Sequence, residues 1–295
     1  MQELVKNKEV KYSIFKSYKN KKQIKQILIF SVAVILAIIW LVPLLWIVST
    51  AFKPESDVID SVVRWIPKRV TLDNFRHIFS DRENAPIIRW FFNSLFIATS
   101  HTILILLFDS LAAFAYARLK FKYKETIYWI MMATMMIPTI INFIPVYVIV
   151  DKFGWIDTPA AMIFPGLGGV FGVFLLRQFF EGIPRDLDEA AKIDGAGYFT
   201  IYFRIILPLA KPALMTLAIF TFMGNWNDFL WPILVTNNAA NRTLPAGLAI
   251  FQGAYIHNYG ILMAGALMSA VPPIILFLAG QKYFVKGIAL SGLKE

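Results

Sequence analysis

Glu189-Ala190-Ala191-Lys192-Ile193-Asp194-Gly195, followed after nine residues by Ile205-Ile206-Leu207-Pro208, forms a short polar stretch between two strongly apolar runs. Pro184 suits the start of a helix, where the N–H that proline lacks has no intrahelical partner to lose. Asp186, Asp188 and Glu189 lie near that start and favour the positive end of the helix dipole. Ala190 and Ala191 combine high helix propensity with little bulk, so another surface can approach closely. Gly195 is placed to end the helix in a left-handed conformation. A second helix is expected over residues 198–206, with Pro208 marking the turn into the next apolar run. Held on two membrane helices, such a segment can carry a push as a rigid body. The blander alternative is an amphipathic hairpin lying on the bilayer.

The rest of the chain puts this stretch in a membrane. Of its 295 residues, 58% are hydrophobic and 16% charged, against roughly a quarter charged in soluble domains. The apolar excess has to face something other than water. Runs at 27–52, 90–117, 127–150, 159–180, 212–235 and 261–284 are each long enough to cross a bilayer, which takes about 20 residues. They predict an all-α integral membrane protein with six transmembrane helices. Pro43, Pro138, Pro145, Pro165, Pro272 and Pro273 fall inside these runs, where neighbouring helices can satisfy the freed backbone groups.

Orientation follows from the Lys and Arg of the loops. With the N-terminus inside, segments 1–26, 118–126, 181–211 and 281–295 hold 19 of them, and the outer segments 52–89, 151–158 and 236–260 hold nine. That asymmetry predicts both termini in the cytoplasm and places the Glu189 stretch there too. The formal charge of +10 therefore tracks membrane loops and forms no patch for nucleic acid. The expected organisation is a basic cytoplasmic segment 1–26, a first span 27–52, an external loop 53–89, a core of five spans over 90–284 containing the loop 181–211, and a cytoplasmic tail 285–295. The first run is too long for a signal-peptide core and no small-residue cleavage site closes it.

The polar stretch resembles the EAA loop of membrane subunits of binding-protein-dependent ATP-binding-cassette (ABC) importers. That pattern, Glu-Ala-Ala, three residues, Gly, nine residues, Ile-x-Leu-Pro, is matched at every defined position. Further strings resemble the maltose-type carbohydrate importers, in particular their shorter, second permease. They are Asn93-Ser94-Leu95, Ala112-Ala113-Phe114-Ala115-Tyr116-Ala117-Arg118-Leu119, Trp226-Asn227-Asp228-Phe229-Leu230-Trp231-Pro232, and the tail Gly287-Ile288-Ala289-Leu290-Ser291-Gly292-Leu293-Lys294.

The resemblance implies a type I importer permease fold in a bacterial cell membrane. It implies a non-catalytic, pore-forming subunit that moves an oligosaccharide. Its partners would be a second homologous permease, two copies of a cytoplasmic ATP-binding subunit and an extracytoplasmic solute-binding protein. ATP and Mg would sit on the partner subunits, with no cofactor on this chain. Glu189, Ala190, Ala191, Asp194 and Gly195 would contact the ATPase. The outer loop 236–260 resembles the family's external loop that reaches toward the binding protein, with Asn237, Asn238 and Tyr255 as contact residues.

Polar groups inside spans are costly and usually face the bundle interior. Asn225 and Asp228 are three apart, the spacing of one helical face, and Trp226 and Trp231 flank them. Amides and carboxylates bind hydroxyls and indoles stack on pyranose rings, so these residues are candidates for a sugar path. Trp at span ends also serves as an interface anchor. Asp109 is a second buried carboxylate. His101, two turns away on the same helix, is out of its reach, so a bond to a neighbouring helix is expected. Arg89 and Arg177 lie near span ends and can snorkel.

No phosphate-cradling Gly-x-x-x-x-Gly-Lys-Ser/Thr occurs, and His77, His101 and His257 have no metal spacing. The absence of cysteine removes disulfides, thiolate nucleophiles and cysteine metal sites. Gly166-Leu167-Gly168-Gly169 reads as a helix-packing feature. Two other function classes compete with the importer. An ion-coupled secondary transporter usually carries several mid-bilayer ionisable groups, and here Asp109 and Asp228 are the candidates. A membrane enzyme lacks any catalytic constellation.

Overall fold

The computed structural model describes the backbone at residues 2–59, 64–80, 86–254 and 258–292, with side chains at 23–59, 64–80, 86–249 and 258–281. Among these residues the regular structure is helical and no strand occurs. The first helix runs without interruption from Gln2 to Ala51, so the basic segment 1–26 continues the first span as helix. Lys and Glu are good helix formers, and the first proline, Pro43, comes late.

Among the described residues three helices are long and apolar enough to cross a membrane: Gln23–Ala51, Ile87–Arg118 and Tyr259–Gln281. Two bent pairs raise the number to five if each counts as one span. Lys124–Thr134 meets Thr139–Lys152 at 91°, and Tyr198–Leu209 meets Lys211–Asn227 at 78°. Of the six spans expected from the apolar runs, several are thus broken or bent. The run 159–180 divides into helices Ala160–Ile163 and Val170–Glu181. Pro165 denies the first an N–H, and Gly166 takes φ +83°, a left-handed conformation open to glycine. The glycines read as a packing feature therefore mark an unwound break. The run 212–235 divides in the same way: Lys211–Asn227 stops at extended Asp228, and Leu230–Val235 follows.

Ile87–Arg118 is the central helix, packed on Val170–Glu181 and Lys211–Asn227. At one end it buries Phe114 and Ala117 among Leu176, Phe180, Tyr202 and Ile206. At the other end Trp90 joins Trp226, Leu244 and Ala264. The first helix leans on the last and leaves Ile27 to Leu45 largely exposed, a surface suited to lipid.

The short helix Asp73–Ser80 and the segment before it tie these two helices together. Asn74 donates to the Ala51 and Lys53 carbonyls, at 2.9 and 2.8 Å, satisfying acceptors where the first helix ends. Glu55 accepts from the N–H groups of Tyr259 and Gly260, at 3.0 and 2.9 Å. A carboxylate there also suits the positive end of the last helix. Lys53 is buried beside them and burial pushes its ammonium pKa down.

Candidate functional site

Two places combine polar chemistry with exposure. The first is the Glu189 stretch. Its helix spans Asp186–Ile193, with Asp186, Asp188 and Glu189 in the first turn as expected. Gly195 has φ +82°. Its N–H bonds the Lys192 carbonyl at 3.0 Å, and the Ala196 N–H bonds that of Ala191 at 2.8 Å. This pair of bonds is the Schellman arrangement that satisfies the last carbonyls of a helix. The return segment continues as helix Tyr198–Ile201, a π-turn over Tyr202–Ile206 and helix Leu207–Leu209.

Glu189, Ala190, Asp194 and Gly195 are exposed, whereas Ala191 is half-buried against the chain's own core. Two exposed apolar residues went unnoticed in the sequence: Ile193, 87% exposed, and Phe199, 75% exposed. Large apolar side chains in an otherwise polar loop were the available signal.

The same loop is anchored from below. The Arg118 guanidinium lies 3.1 Å from Asp188, with the two side chains 3% and 10% exposed. Arg118 also donates to the Ile183 carbonyl at 2.8 Å. Arg185 donates to that of Ala117 at 3.3 Å.

The second place is a cleft of about 1180 Å³, open on one side and bordered by the central helix, the 162–172 break and the end of Lys211–Asn227. Its polar lining includes His101, Asp109, Asn142, Asn225, Asn227 and Asp228. His101 Nδ1–H donates to the Ile163 carbonyl at 2.7 Å, the last residue of the helix before the break. Asp109 accepts from the Gly169 N–H, where the helix after the break begins. A donor at a helix C-terminus and a carboxylate at a helix N-terminus each satisfy orphan backbone groups. His101 and Asp109 therefore brace the two lips of one break from one neighbouring helix, which is the structural partnership expected for Asp109. The fit is tight: a Cβ at Gly172 would lie 2.0 Å from Asp109 Oδ2.

The Asn225–Trp226–Asp228 group divides. Asn225 and Asp228 both border the cleft, but the helix ends between them, so they do not share a helical face. Asp228 instead accepts from the Trp231 N–H at 3.4 Å, across the break. Trp226 is 1% exposed. Its ring lies between Phe91 and Phe222, and its N–H bonds the Ser269 carbonyl at 3.0 Å. It is a core residue, and the expectation of a sugar-facing indole is corrected. Trp231 borders the cleft, with its N–H on the Ala161 carbonyl at 2.8 Å.

Arg177 does not snorkel. It is 7% exposed, bonded to Glu125 at 2.9 Å and Glu181 at 2.8 Å, over the Tyr128 ring.

In the segment 236–260, Asn237 and Asn238 are exposed, and their N–H groups both bond Asp157 Oδ1, at 3.1 and 3.0 Å. Tyr255 lies outside the described residues. The segment is more than a loop, because it carries the apolar helix Leu244–Ala254. Asn93, Ser94 and Trp90 hold it by bonds to Ala240, Arg242, Leu244 and Ala239.

Residues 105–289 match the family described as "Binding-protein-dependent transport system inner membrane component". The chain belongs to this family. As such a component it is a multi-pass membrane protein. The arabinooligosaccharides transport system permease protein AraQ of Halalkalibacterium halodurans is 36% identical over 261 residues, 88% of this chain and 93% of that protein. The trehalose/maltose transport system permease protein MalG of Thermococcus litoralis is 33% identical over 276 residues, 92% and 98% of the two chains. A crystal structure of a bacterial ABC transporter involved in import of the acidic polysaccharide alginate gives a TM-score of 0.75 at 24% identity, covering 89% of this chain and 97% of that one. That likeness shows a shared fold. Within the family segment lie the Glu189 loop, the break at 164–169 and the cleft residues Asp109, Asn142, Asn225, Asn227 and Asp228, with His101 just before it.

Proposed function

We propose that this permease is the pore-forming, non-catalytic subunit of an ATP-driven oligosaccharide importer, with six membrane passages and both termini in the cytoplasm. A solute-binding protein delivers sugar from outside. A second permease completes the pore. Two ATP-binding subunits, which hold ATP and Mg, grip the loop through Glu189, Ala190, Asp194 and Gly195, with Ala191 at the seam. The observation that carries this reading is the loop helix itself: exposed on its outer face, closed by left-handed Gly195 and pinned to the central helix by Arg118. The sugar specificity of relatives such as AraQ and MalG supports the carbohydrate class.

The cleft suits the solute. Asn142, Asn225, Asn227 and Asp228 offer donors and acceptors to sugar hydroxyls, and Trp231 borders them. Binding-protein contact falls to the surface at Asn237 and Asn238, with Tyr255 beside them in sequence. Asp109, with Oδ2 lacking a hydrogen-bond partner, is the one observation that favours an ion-coupled carrier instead.

The two readings separate on energy source. The purified chain alone is expected to hydrolyse no ATP, and uptake in membrane vesicles is expected to need the ATP-binding subunits. Uptake that survives their removal but collapses with the ion gradient would establish the carrier.

Gly195 tests the loop. A Cβ there meets nothing within 4 Å of this chain, so the internal cost of Gly195→Val is only the left-handed backbone, about 1–3 kcal/mol. Membrane insertion is expected to persist while co-purification of the ATPase is lost. Gly195→Asn, which tolerates that backbone better, separates backbone strain from bulk. An intact complex with Gly195→Val would remove the loop from the interface.

A further inference from the structure

The central helix Ile87–Arg118 is gripped at one end by the loop and braces the broken span further along. Arg118 holds Asp188 and the Ile183 carbonyl. Two turns inward, Ser110 and the Tyr202 hydroxyl bond at 2.6 Å, joining the helix to the π-turn of the returning loop. Phe114, between them, stacks edge-on against Tyr202 with centroids 5.2 Å apart. Next to Ser110, Asp109 holds Gly169, and His101 holds Ile163. Loop contacts and break contacts thus sit on one uninterrupted helix, which transmits axial displacement with little loss because its backbone bonds run along it.

We propose that the buried Arg118–Asp188 pair is a positioning contact that clamps the loop to the central helix, so that a displacement of the loop moves the lips of the 164–169 break bordering the cleft. The proposal rests on the loop being the seat of the ATP-binding subunits. The pair suits the task. An ion pair with side chains 3% and 10% exposed cannot separate without stranding a buried charge, so loop and helix move together. Lys120 and Lys192, exposed around the Arg118–Asp188 pair, are not held in this way.

The test uses the whole transporter, with partner permease and ATP-binding subunits, in lipid nanodiscs. The chain has no cysteine, so Asp186→Cys and Phe96→Cys place spin labels on the loop helix and the central helix. Their separation is expected to stay narrow and unchanged between the nucleotide-free and the ATP–vanadate-trapped transporter. A second label pair, Phe171→Cys with Trp40→Cys, reports the break against the first helix, which packs on the last helix, and is expected to change on trapping.

In Arg118→Gln or Asp188→Asn the first distance is expected to broaden. The fraction of transporters showing the trapped break distance should fall about tenfold, and the exchanged pair Arg118→Asp with Asp188→Arg should recover it to within about twofold. Arg118→Lys, which keeps the charge but loses the fork, should fall between. A pair that only stabilises the fold would lower yield in the single variants and leave the trapped fraction of surviving complexes unchanged, and that result overturns the proposal. If the unmutated chain recruits no ATP-binding subunit, the functional reading falls first and this inference with it.

Discussion

Trp226→Ala is expected to destabilise the folded permease by about 3–5 kcal/mol, the usual cost of deleting a buried tryptophan. The indole is 1% exposed and fills the space between Phe91 and Phe222. Its N–H satisfies the Ser269 carbonyl, so the substitution leaves a cavity and an unpaired acceptor in the layer joining the Lys211–Asn227 helix to the last helix. The fraction surviving as a monodisperse species after heating in detergent, together with a chemical unfolding midpoint, would measure the loss. Asn227→Ala is the contrast. Asn227 is exposed at the cleft, one residue further on, and its truncation is expected to stay within about 0.5 kcal/mol of the parent while weakening sugar uptake. If Trp226→Ala proved stable and selectively weakened uptake, the indole would face sugar after all.

Gly172→Val carries the second large effect. A Cβ at this position would sit 2.0 Å from Asp109 Oδ2 and 3.0 Å from Leu217 Cδ2. Asp109 has little freedom to retreat, because its carboxylate is already engaged with Gly169 at the start of the next helix. Overpacking of this kind costs about 1–3 kcal/mol and sometimes more. The expected result is loss of most folded, assembled transporter, read as recovery from the membrane and thermal midpoint. Adding Asp109→Ala should restore part of the loss by making room, a coupling that a double-mutant cycle resolves. Additive losses would mean that glycine and carboxylate do not share this notch.

Local chemistry made the Glu189 loop readable. Three acidic residues at a helix start, two alanines and a glycine at the stop act within a turn or two of chain, and the helix Asp186–Ile193 with left-handed Gly195 follows them closely. Apolar run length likewise located the three long apolar helices and the bent pair at 124–152. It did not locate the breaks, because hydropathy is blind to backbone continuity. A run containing Pro165, Gly166, Gly168 and Gly169 is apolar whether or not it is wound. Asp109 illustrates the intermediate case. A buried carboxylate was expected to seek a neighbouring helix, and it does, but which backbone N–H it would meet depends on how Val170–Glu181 lies against the central helix.

Composition, loop charge and the spacing from Glu189 to Pro208 were enough to place this chain in the membrane and to single out its projecting loop, since each depends on residues close together in sequence. Which side of a helix meets protein, lipid or open space depends on packing between segments more than a hundred residues apart, as with Asn93 and Arg242. Packing alone turned Trp226 into the core, buried Arg177 and Asp188 beside their partners, and set His101 and Asp109 at the two lips of one broken span.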